Sequence, residues 1–543
     1  MAAADPIFAA LTAPGTPFEI GECGGMRQFV RAPADLSSLI ESARRHGAAT
    51  FIVEGDRRLS YDEAFARRDA LAVMLAIAPG ERVAICMRNR AEWMIAFLAV
   101  IRAGGVAVLV NSRGAPAELR AAVEECTPAL VLADSERAAL LTEAAYPGRV
   151  IDARDFPSEG RFDRDVAPAA PDDPAAILFT SGTTGRVKGA VLSHRNLITG
   201  LMSVQLAGLM VLQNAAQQYG VPVETILANR PQYATLLVYP LFHISGLGSA
   251  FLSPMLSGGK VVIMRRWDPE EALQLIAAER ITALNGVPTM LWDVLNRAKI
   301  DAVDISSLNN IGTGGQALPI NLLEAVQAAV PNAFLGTGFG LTETSGAVAM
   351  ALGADFLRKR EAAGRVLELA EARVLDAAGA VLPPGAIGEI AVRGPMVMQG
   401  YWNRPEETAA VLDADGWFRT GDIGRIDEEG YIFIVDRKKD MVISGGENIY
   451  CAEVERALSE LPQVAEGAAF GLPDERLGER LVAVVLAAGL SEDQVRDHVA
   501  TTLARYKAPV RVAFARAPLP RNAVGKVDKI RLRAMWPDLS GEA

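Results

Sequence analysis

The chain has 543 residues, of which 50% are apolar and 22% charged. That is the balance of a globular protein and excludes a disordered, collagenous or coiled-coil chain. With 54 basic against 65 acidic residues, a net of −11, the charge runs opposite to that of a global nucleic-acid binder, and the length suggests roughly three to four domain-sized units.

Met1 to Pro17 carries Asp5 and no basic segment, so no signal peptide is expected. Ser60 to Ile77 has helical periodicity with Ser60 as N-cap. Arg82 to Cys86 reads as a short buried strand, Glu92 to Arg102 as a helix and Val106 to Val110 as another strand. The apolar stretch Trp93 to Val110 is broken by Arg102, Gly104 and Gly105, which predicts helix, turn and strand rather than a membrane span. Helix Pro116 to Glu124 and strand Ala129 to Ala133 continue the alternation, and such alternation implies a parallel sheet covered by helices.

After the Pro/Asp-rich stretch Ala167 to Pro174, strands are expected at Ala175 to Phe179, Lys260 to Met264, Ala283 to Asn285 and Asn309 to Thr313. The fold class is therefore α/β: two doubly wound halves, about 30–170 and 171–360. Short strands and Gly/Pro/Asp turns over 361–436 predict a small β-barrel-like subdomain, closing a large domain of 1–436. The charged run 437–440 serves as hinge to a mobile α+β domain, 441–543. Four scattered cysteines without CxxC spacing suggest a reduced, cytoplasmic setting.

Strand Ala175 to Phe179 runs into Thr180-Ser181-Gly182-Thr183-Thr184-Gly185-Arg186-Val187-Lys188-Gly189. Its glycines permit tight turns with exposed N–H groups, while hydroxyls and Lys188 add donors, so the loop suits a triphosphate. It is not a Walker A sequence, because the Gly-Lys-Ser/Thr order is missing. Nine basic residues between Thr501 and Arg533 (Arg505, Lys507, Arg511, Arg516, Arg521, Lys526, Lys529, Arg531, Arg533) face only Asp528. They form either a solvated face or a phosphate-handling lobe.

The hydroxyl-rich loop resembles the signature of the adenylate-forming superfamily, with Val187 where that family usually has Pro. Further motifs follow in the family's order across nearly the whole chain. Tyr239 to Leu247 resembles the aromatic-His motif and implies that His243 lies by the carboxylate being activated. Gly312-Thr313-Gly314-Gly315-Gln316 and Gly338-Phe339-Gly340-Leu341-Thr342-Glu343 resemble the adenine-contacting segments, with Phe339 able to stack on the base. The resemblance makes Glu343, with Thr180, the Mg²⁺ site, and Asp422 and Arg437 the ribose site. Pro520 to Lys526 resembles the C-terminal lysine loop, with Asn522 replacing a usual Thr, so Lys526 is the implied catalytic lysine. By motif position Lys439 is the hinge, and Gly445, Gly446 and Glu447 line the pantetheine tunnel.

These resemblances imply an ATP-dependent acid–CoA ligase using ATP, Mg²⁺ and coenzyme A, with no nucleic-acid partner and with a homodimer allowed. Without the family, His243 reads as a core histidine, and Glu343 and Lys439 as surface charges. No carrier domain follows the lysine loop, which disfavours a peptide-synthetase module. The alternatives are a stand-alone enzyme loading a separate carrier protein, or a nucleotide-binding regulator without catalysis. Candidate acyl-pocket walls are Phe242, Leu247, Leu284 to Thr289, Gly312 to Gly314, Leu335 to Gly338 and Gly340. They are apolar or small, which favours a fatty or hydrophobic aromatic acid. The segment Met210 to Tyr233 reads as a surface insertion rather than a tunnel wall.

Overall fold

A computed structural model describes residues 6–164, 166–180, 188–297, 303–314, 320–438, 440–444, 447–522 and 525–541. Helix Tyr61–Leu75 starts where Ser60 caps it: the Glu63 N–H donates to the Ser60 hydroxyl at 3.2 Å and the Ser60 N–H to the Glu63 carboxylate at 2.7 Å. This reciprocal pair satisfies two of the free donors at a helix start. The apolar stretch after Trp93 resolves as expected into helix Ala91–Arg102, a turn with Gly104 at φ +79, and strand Val106–Leu109.

Among the described residues three larger sheets organise the fold, beside the two-stranded pair Ile20–Cys23 and Met26–Phe29. The first has seven strands in the order Gly400–Tyr401, Lys188–Ser193, Pro174–Thr180, Val106–Leu109, Arg82–Cys86, Leu130–Ala133 and Val150–Asp152. Its central strands are parallel and buried, as their unbroken Val, Ile, Leu and Ala runs require. The second has thirteen strands. Thr50–Glu54, Lys260–Ile263, Ala234–Leu237, Ala283–Gly286, Asn310–Gly314 and Phe334–Leu341 form its parallel part.

The two sheets correct the expected division at 170/171. Strand Pro174–Thr180, assigned by sequence to the second half, pairs with Val106–Leu109 in the first sheet. Thr50–Glu54, assigned to the first half, pairs with Lys260–Ile263 in the second. Parallel strands need long crossovers in any case, so chain order alone leaves sheet membership open. A second correction concerns 361–436. Its strands form no closed barrel among the described residues. They extend the second sheet in antiparallel fashion, with Gly364–Val366 joining Gly346–Leu352 to Tyr431–Arg437 and Glu371–Leu375 at the open edge.

The smaller C-terminal domain is α+β. Strands Val464–Asp474 and Gly478–Ala487 form a long hairpin, and Arg511–Phe514 adds in parallel. Helices Cys451–Ser459 and Glu492–Thr502 cover one face through Val454, Val495 and Val499. Helix Lys529–Ser540 covers the other through Leu532 and Trp536 against Phe470. The domain docks on the large one where the Asp436 carboxylate accepts from the Ala452 N–H at 3.3 Å and Arg456 pairs with Glu361 at 3.6 Å. Helix His194–Tyr219 is long and apolar enough to cross a membrane by composition, yet 56% of its most apolar window is buried in the fold.

Candidate active site

One cleft of about 3730 Å³ runs between the two large sheets and under the small domain. A single ligand site takes roughly 300–1,000 Å³, so this space is larger than one such site needs. It is lined by Thr180, Lys188, His243, Gly314, Gly338 and Phe339 of the residues singled out by sequence. Gly340, Thr342, Glu343, Asp422, Arg437 and Lys526 line it as well. Glu447 does not; it is exposed on the edge strand Glu447–Ile449 of the small domain. Ser181, Gly182, Thr183, Thr184, Gly185, Gly315, Gln316, Lys439, Gly445 and Gly446 lie outside the described residues.

Thr180 ends one strand and Lys188 begins the next, and they face each other in antiparallel register. Next to them, strand Gly400–Tyr401 pairs with Ala190 and Val191 and brings in a residue that sequence reasoning missed. The Tyr401 hydroxyl donates to Glu343 Oε1 at 2.9 Å, and the Lys188 ammonium sits 5.0 Å from the Tyr401 ring centre. Burial and the neighbouring Glu343 charge push the Tyr401 phenol up, so it stays a neutral donor. Glu343 occupies a tight 3₁₀ turn, Thr342–Thr344, whose closure depends on Gly340. A Cβ on Gly340 would lie 1.9 Å from the Gly346 carbonyl oxygen, so only glycine fits there. One carboxylate on a cleft wall fits Mg²⁺, which keeps waters and takes phosphate oxygens as its other ligands. Among the described residues no group of three or more His, Cys, Asp and Glu converges to form an all-protein metal cage.

The aromatic-His motif is held from the first sheet. Asn89, just beyond strand Arg82–Cys86, donates from Nδ2 to the Tyr239 carbonyl at 2.8 Å and accepts from the Leu241 N–H at 2.9 Å. The chain then enters a π-helical turn, Ser245–Leu252, with Gly246 packed so closely that a Cβ would meet the Pro240 carbonyl oxygen at 2.1 Å. Such turns recur at functional sites. Burial, and secondarily the Lys526 ammonium, pull the His243 imidazole down to about 4, so it is neutral at pH 7. Its Nδ1 accepts from the Ser245 N–H at 3.4 Å.

That coupling of His243 to Lys526 joins the two domains at the cleft. The lysine loop turns at Gly525, φ +86, where a Cβ would lie 3.5 Å from the Val287 side chain of the large domain. The Lys526 N–H donates to Asn522 Oδ1 at 3.1 Å, and the Asn522 N–H to the Lys526 carbonyl at 2.8 Å. Asn522, the departure from the family's Thr, therefore pins the loop. Across the cleft, Asp422 is buried and paired through Oδ1 with Arg437 Nε at 2.6 Å. The two sit opposite each other in register on strands Phe418–Ile426 and Tyr431–Arg437, and the Thr420 hydroxyl accepts from the Asp422 N–H at 3.1 Å.

Four expected acyl walls are elsewhere. Leu247, Leu284 and Leu335 are buried in the hydrophobic cores, and neither they nor Gly286 line the cleft. On strands the side chains alternate between faces, so Leu284 and Leu335 point away from the cleft while Asn285 and Gly336 line it. The segment 210–233 is also corrected. It forms the end of helix His194–Tyr219 and helix Val223–Asn229, and Leu212, Ile226 and Tyr233 line the cleft.

An α/β scaffold with a small domain laid over a cleft of Gly-rich strand ends, an acid, a buried Asp–Arg pair and two lysines defines a nucleotide-using enzyme. The chain belongs to the AMP-binding enzyme family, whose model matches residues 39–402, with the AMP-binding enzyme C-terminal domain matching 453–526. It is 36% identical over 533 residues to a Rhodococcus jostii CoA ligase named for a propanoyl group carrying a methyl-dioxo-octahydroindenyl ring, covering 92% of this chain and 98% of that protein. It is 35% identical over 496 residues to the long-chain-fatty-acid–CoA ligase FadD13 of Mycobacterium tuberculosis, covering 89% and 94%. Among solved structures, o-succinylbenzoate CoA synthetase (MenE) from Bacillus subtilis with its acyl-adenylate intermediate superimposes with TM-score 0.76 at 29% identity, covering 91% of this chain and 97% of that one.

Proposed function

We propose that the protein is an ATP-dependent acid–CoA ligase that activates a hydrophobic carboxylic acid, fatty or aromatic, as acyl-AMP and passes the acyl group to CoA. The observation that carries this reading is the seating of Gly525 beside Val287 with Lys526 on the cleft lining that also holds His243, so that a cation from the small domain faces the cleft. Relatives named for a bicyclic acid and for long-chain fatty acids, and a similar structure holding an acyl-adenylate, support the same class.

In the first step a carboxylate oxygen attacks the α-phosphorus of ATP, and the bond to pyrophosphate breaks. The nucleophile is already ionised at neutral pH, so no general base is required. Charge builds on phosphate oxygens, and preorganised cations oppose it most effectively in a desolvated cleft. Lys526 and Lys188 supply that charge, and Glu343 and Thr180 hold Mg²⁺, which when bound neutralises phosphate charge. Asp422 accepts from the ribose hydroxyls, with Arg437 fixing its carboxylate. Gly315 and Gln316, with Phe339, Gly340 and Thr342, receive the adenine. Ser181, Gly182, Thr183, Thr184 and Gly185 cradle the phosphates. Neutral His243 acts as a hydrogen-bonding wall beside the carboxylate, not as a charge.

In the second step the CoA sulfur attacks the acyl carbonyl, the thiol proton is released, and AMP leaves with the electrons of the broken C–O bond. The small domain turns about Lys439 between the steps, bringing Gly445, Gly446 and Glu447 toward the pantetheine. The exposed position of Glu447 in the present arrangement agrees with that division of labour. The test is a panel of acids assayed for AMP release with and without CoA. Acid-dependent AMP release that becomes catalytic only with CoA is the expected result. Release that needs a carrier protein instead selects the carrier-loading reading, and no acid-dependent pyrophosphate exchange rejects adenylation.

A further inference from the structure

The acyl end of the cleft is floored by an uncommon stretch of sheet. Gly312 pairs in register with Gly336, and Gly314 with Gly338, on adjacent parallel strands. Paired residues share a face, so four glycines pave one patch of the second sheet with no side chains. Two residues complete the inner row of that patch: Asn285, opposite Gly312, and Leu352, opposite Gly336. Both lean inward. A Cβ on Gly312 would meet Asn285 Oδ1 at 2.1 Å, and one on Gly336 would meet Leu352 Cδ2 at 2.6 Å.

The outer row is less crowded. A Cβ on Gly314 would find nothing nearer than the Gly338 carbonyl at 3.8 Å, and one on Gly338 would meet the Ala349 carbonyl at 3.5 Å, Met350 Cγ at 3.7 Å and Ala347 Cβ at 3.9 Å, all ordinary contacts. Two residues of strand separate the rows, about 6.6 Å. The result is a bowl over Gly314 and Gly338, with room for a ring, ended by one amide and one leucine. The Tyr233 phenol lies beside the Asn285 amide. A side-chain amide has two donor and two acceptor positions to offer a ligand.

Resting on the acid–CoA ligase reading above, we propose that Asn285 is the specificity-determining residue of this site and that it selects ring acids bearing a hydroxyl or keto oxygen on the side remote from the carboxylate. The ring lies over Gly314 and Gly338, and its oxygen meets the Asn285 amide, which donates to a ketone and both donates to and accepts from a hydroxyl. A hydrocarbon end in the same place strips water from the amide and returns no hydrogen bond, and sites built on such a bond reject the analogue lacking it. The apolar-wall expectation for this pocket is thereby narrowed: Leu352 supplies the apolar half of the end wall and Asn285 the polar half.

Two matched pairs of acids test this: 3-phenylpropanoate against 3-(4-hydroxyphenyl)propanoate, and 3-cyclohexylpropanoate against 3-(4-oxocyclohexyl)propanoate. They are compared by kcat/KM for AMP release with CoA in the wild-type protein, Asn285→Leu and Tyr233→Phe. The wild type is expected to favour each oxygenated acid about 10-fold or more. Asn285→Leu should bring both ratios to about one by lowering kcat/KM for the oxygenated acid of each pair relative to its unsubstituted partner; a merely structural Asn285 would lower all four equally. If that variant does not fold, Tyr233→Phe decides, because removing the hydroxyl beside the amide should lower both ratios. Equal use of both members of each pair by the wild type, or a preference that survives both substitutions, overturns the proposal. So does turnover of octanoate with none of the four acids, which leaves the ligase reading standing. AMP release from no acid at all overturns the ligase reading itself.

Discussion

The two large sheets are built on the same parallel plan and differ in what they carry on their faces. In the first, Val83, Ile85, Val108, Leu109, Ile177 and Leu178 are all fully buried, and helices close both sides. In the second, Gly312, Gly314, Gly336 and Gly338 replace such residues on one face and leave a trough. The difference costs the second sheet packing contacts and gives the molecule a binding surface. A cleft needs more than two walls here; it needs one wall with its side chains removed. The residues that act on a ligand are then supplied from outside the trough: Lys188 from the first sheet, Asp422 from the antiparallel extension, and Lys526 from the small domain.

If the trough is where the acid lies, removing the cation that reaches over it should have the largest effect. Lys526→Ala is expected to lower acid-dependent pyrophosphate exchange on the order of 10²–10³-fold, by analogy with the loss of one preorganised donor. Thioester formation from supplied acyl-adenylate and CoA should persist, since in the proposed rotation the lysine has left the cleft before that step. Equal losses in both half-reactions would place Lys526 in a fixed role throughout and remove the case for domain rotation.

A paired substitution then sets the sheets against each other. Gly338→Val adds side-chain volume where the nearest atoms to a new Cβ, the Ala349 carbonyl oxygen, Met350 Cγ and Ala347 Cβ, lie at ordinary contact distances of 3.5, 3.7 and 3.9 Å. The free protein should accept it, while the bound acid is overpacked by about 1–3 kcal/mol, or roughly 5–150-fold in kcat/KM for ring acids. Ile85→Ala in the filled sheet should cost about 2–5 kcal/mol of stability and leave the ratio between acids unchanged. Denaturant midpoints and acid selectivity, measured on both variants, separate the outcomes. A large stability loss in Gly338→Val would mean that the trough is packed core and not a site.

Much of this was legible in the sequence, for definite reasons. Glycine clusters, hydroxyls beside a lysine and the lysine loop are local patterns, and the elements around them follow from short-range rules such as the Ser60 cap. What sequence could not give was long-range pairing. Sheet membership of Pro174–Thr180 and Thr50–Glu54 depends on crossovers, and the antiparallel continuation of the second sheet depends on Gly364–Val366 meeting two strands at once. Tyr401 reaches Glu343 only because a two-residue strand pairs with Ala190 and Val191. Asn89 clamps the aromatic-His turn from 150 positions away. Asn285 was visible as a polar residue in a supposedly apolar run, and strand alternation applied there would have turned it, rather than Leu284, into the cleft.

The smallest effect tests how the small domain meets the trough. His243 sits at about 4, below its ordinary value of 6.5, chiefly through burial and secondarily through Lys526. A base whose folded pKa is depressed stabilises the fold fully above pH 6.5, and that contribution is lost as pH falls toward 4. Across pH 7–8 the imidazole stays neutral, so the adenylation rate should show no step from His243 in that range. Removing the Lys526 charge should raise the His243 pKa, with burial keeping it below 6.5, because only the second of its two causes is gone. NMR titration of the His243 ring in the wild-type protein and in Lys526→Ala reads this directly. An upward shift on substitution means that the lysine loop rests over the cleft in solution, with the acid site and the cation facing each other before substrates bind. No shift means that the loop spends its time elsewhere, and that ATP or the acid must draw it in; repeating the titration with ATP bound then separates a loop recruited by nucleotide from one that never approaches His243.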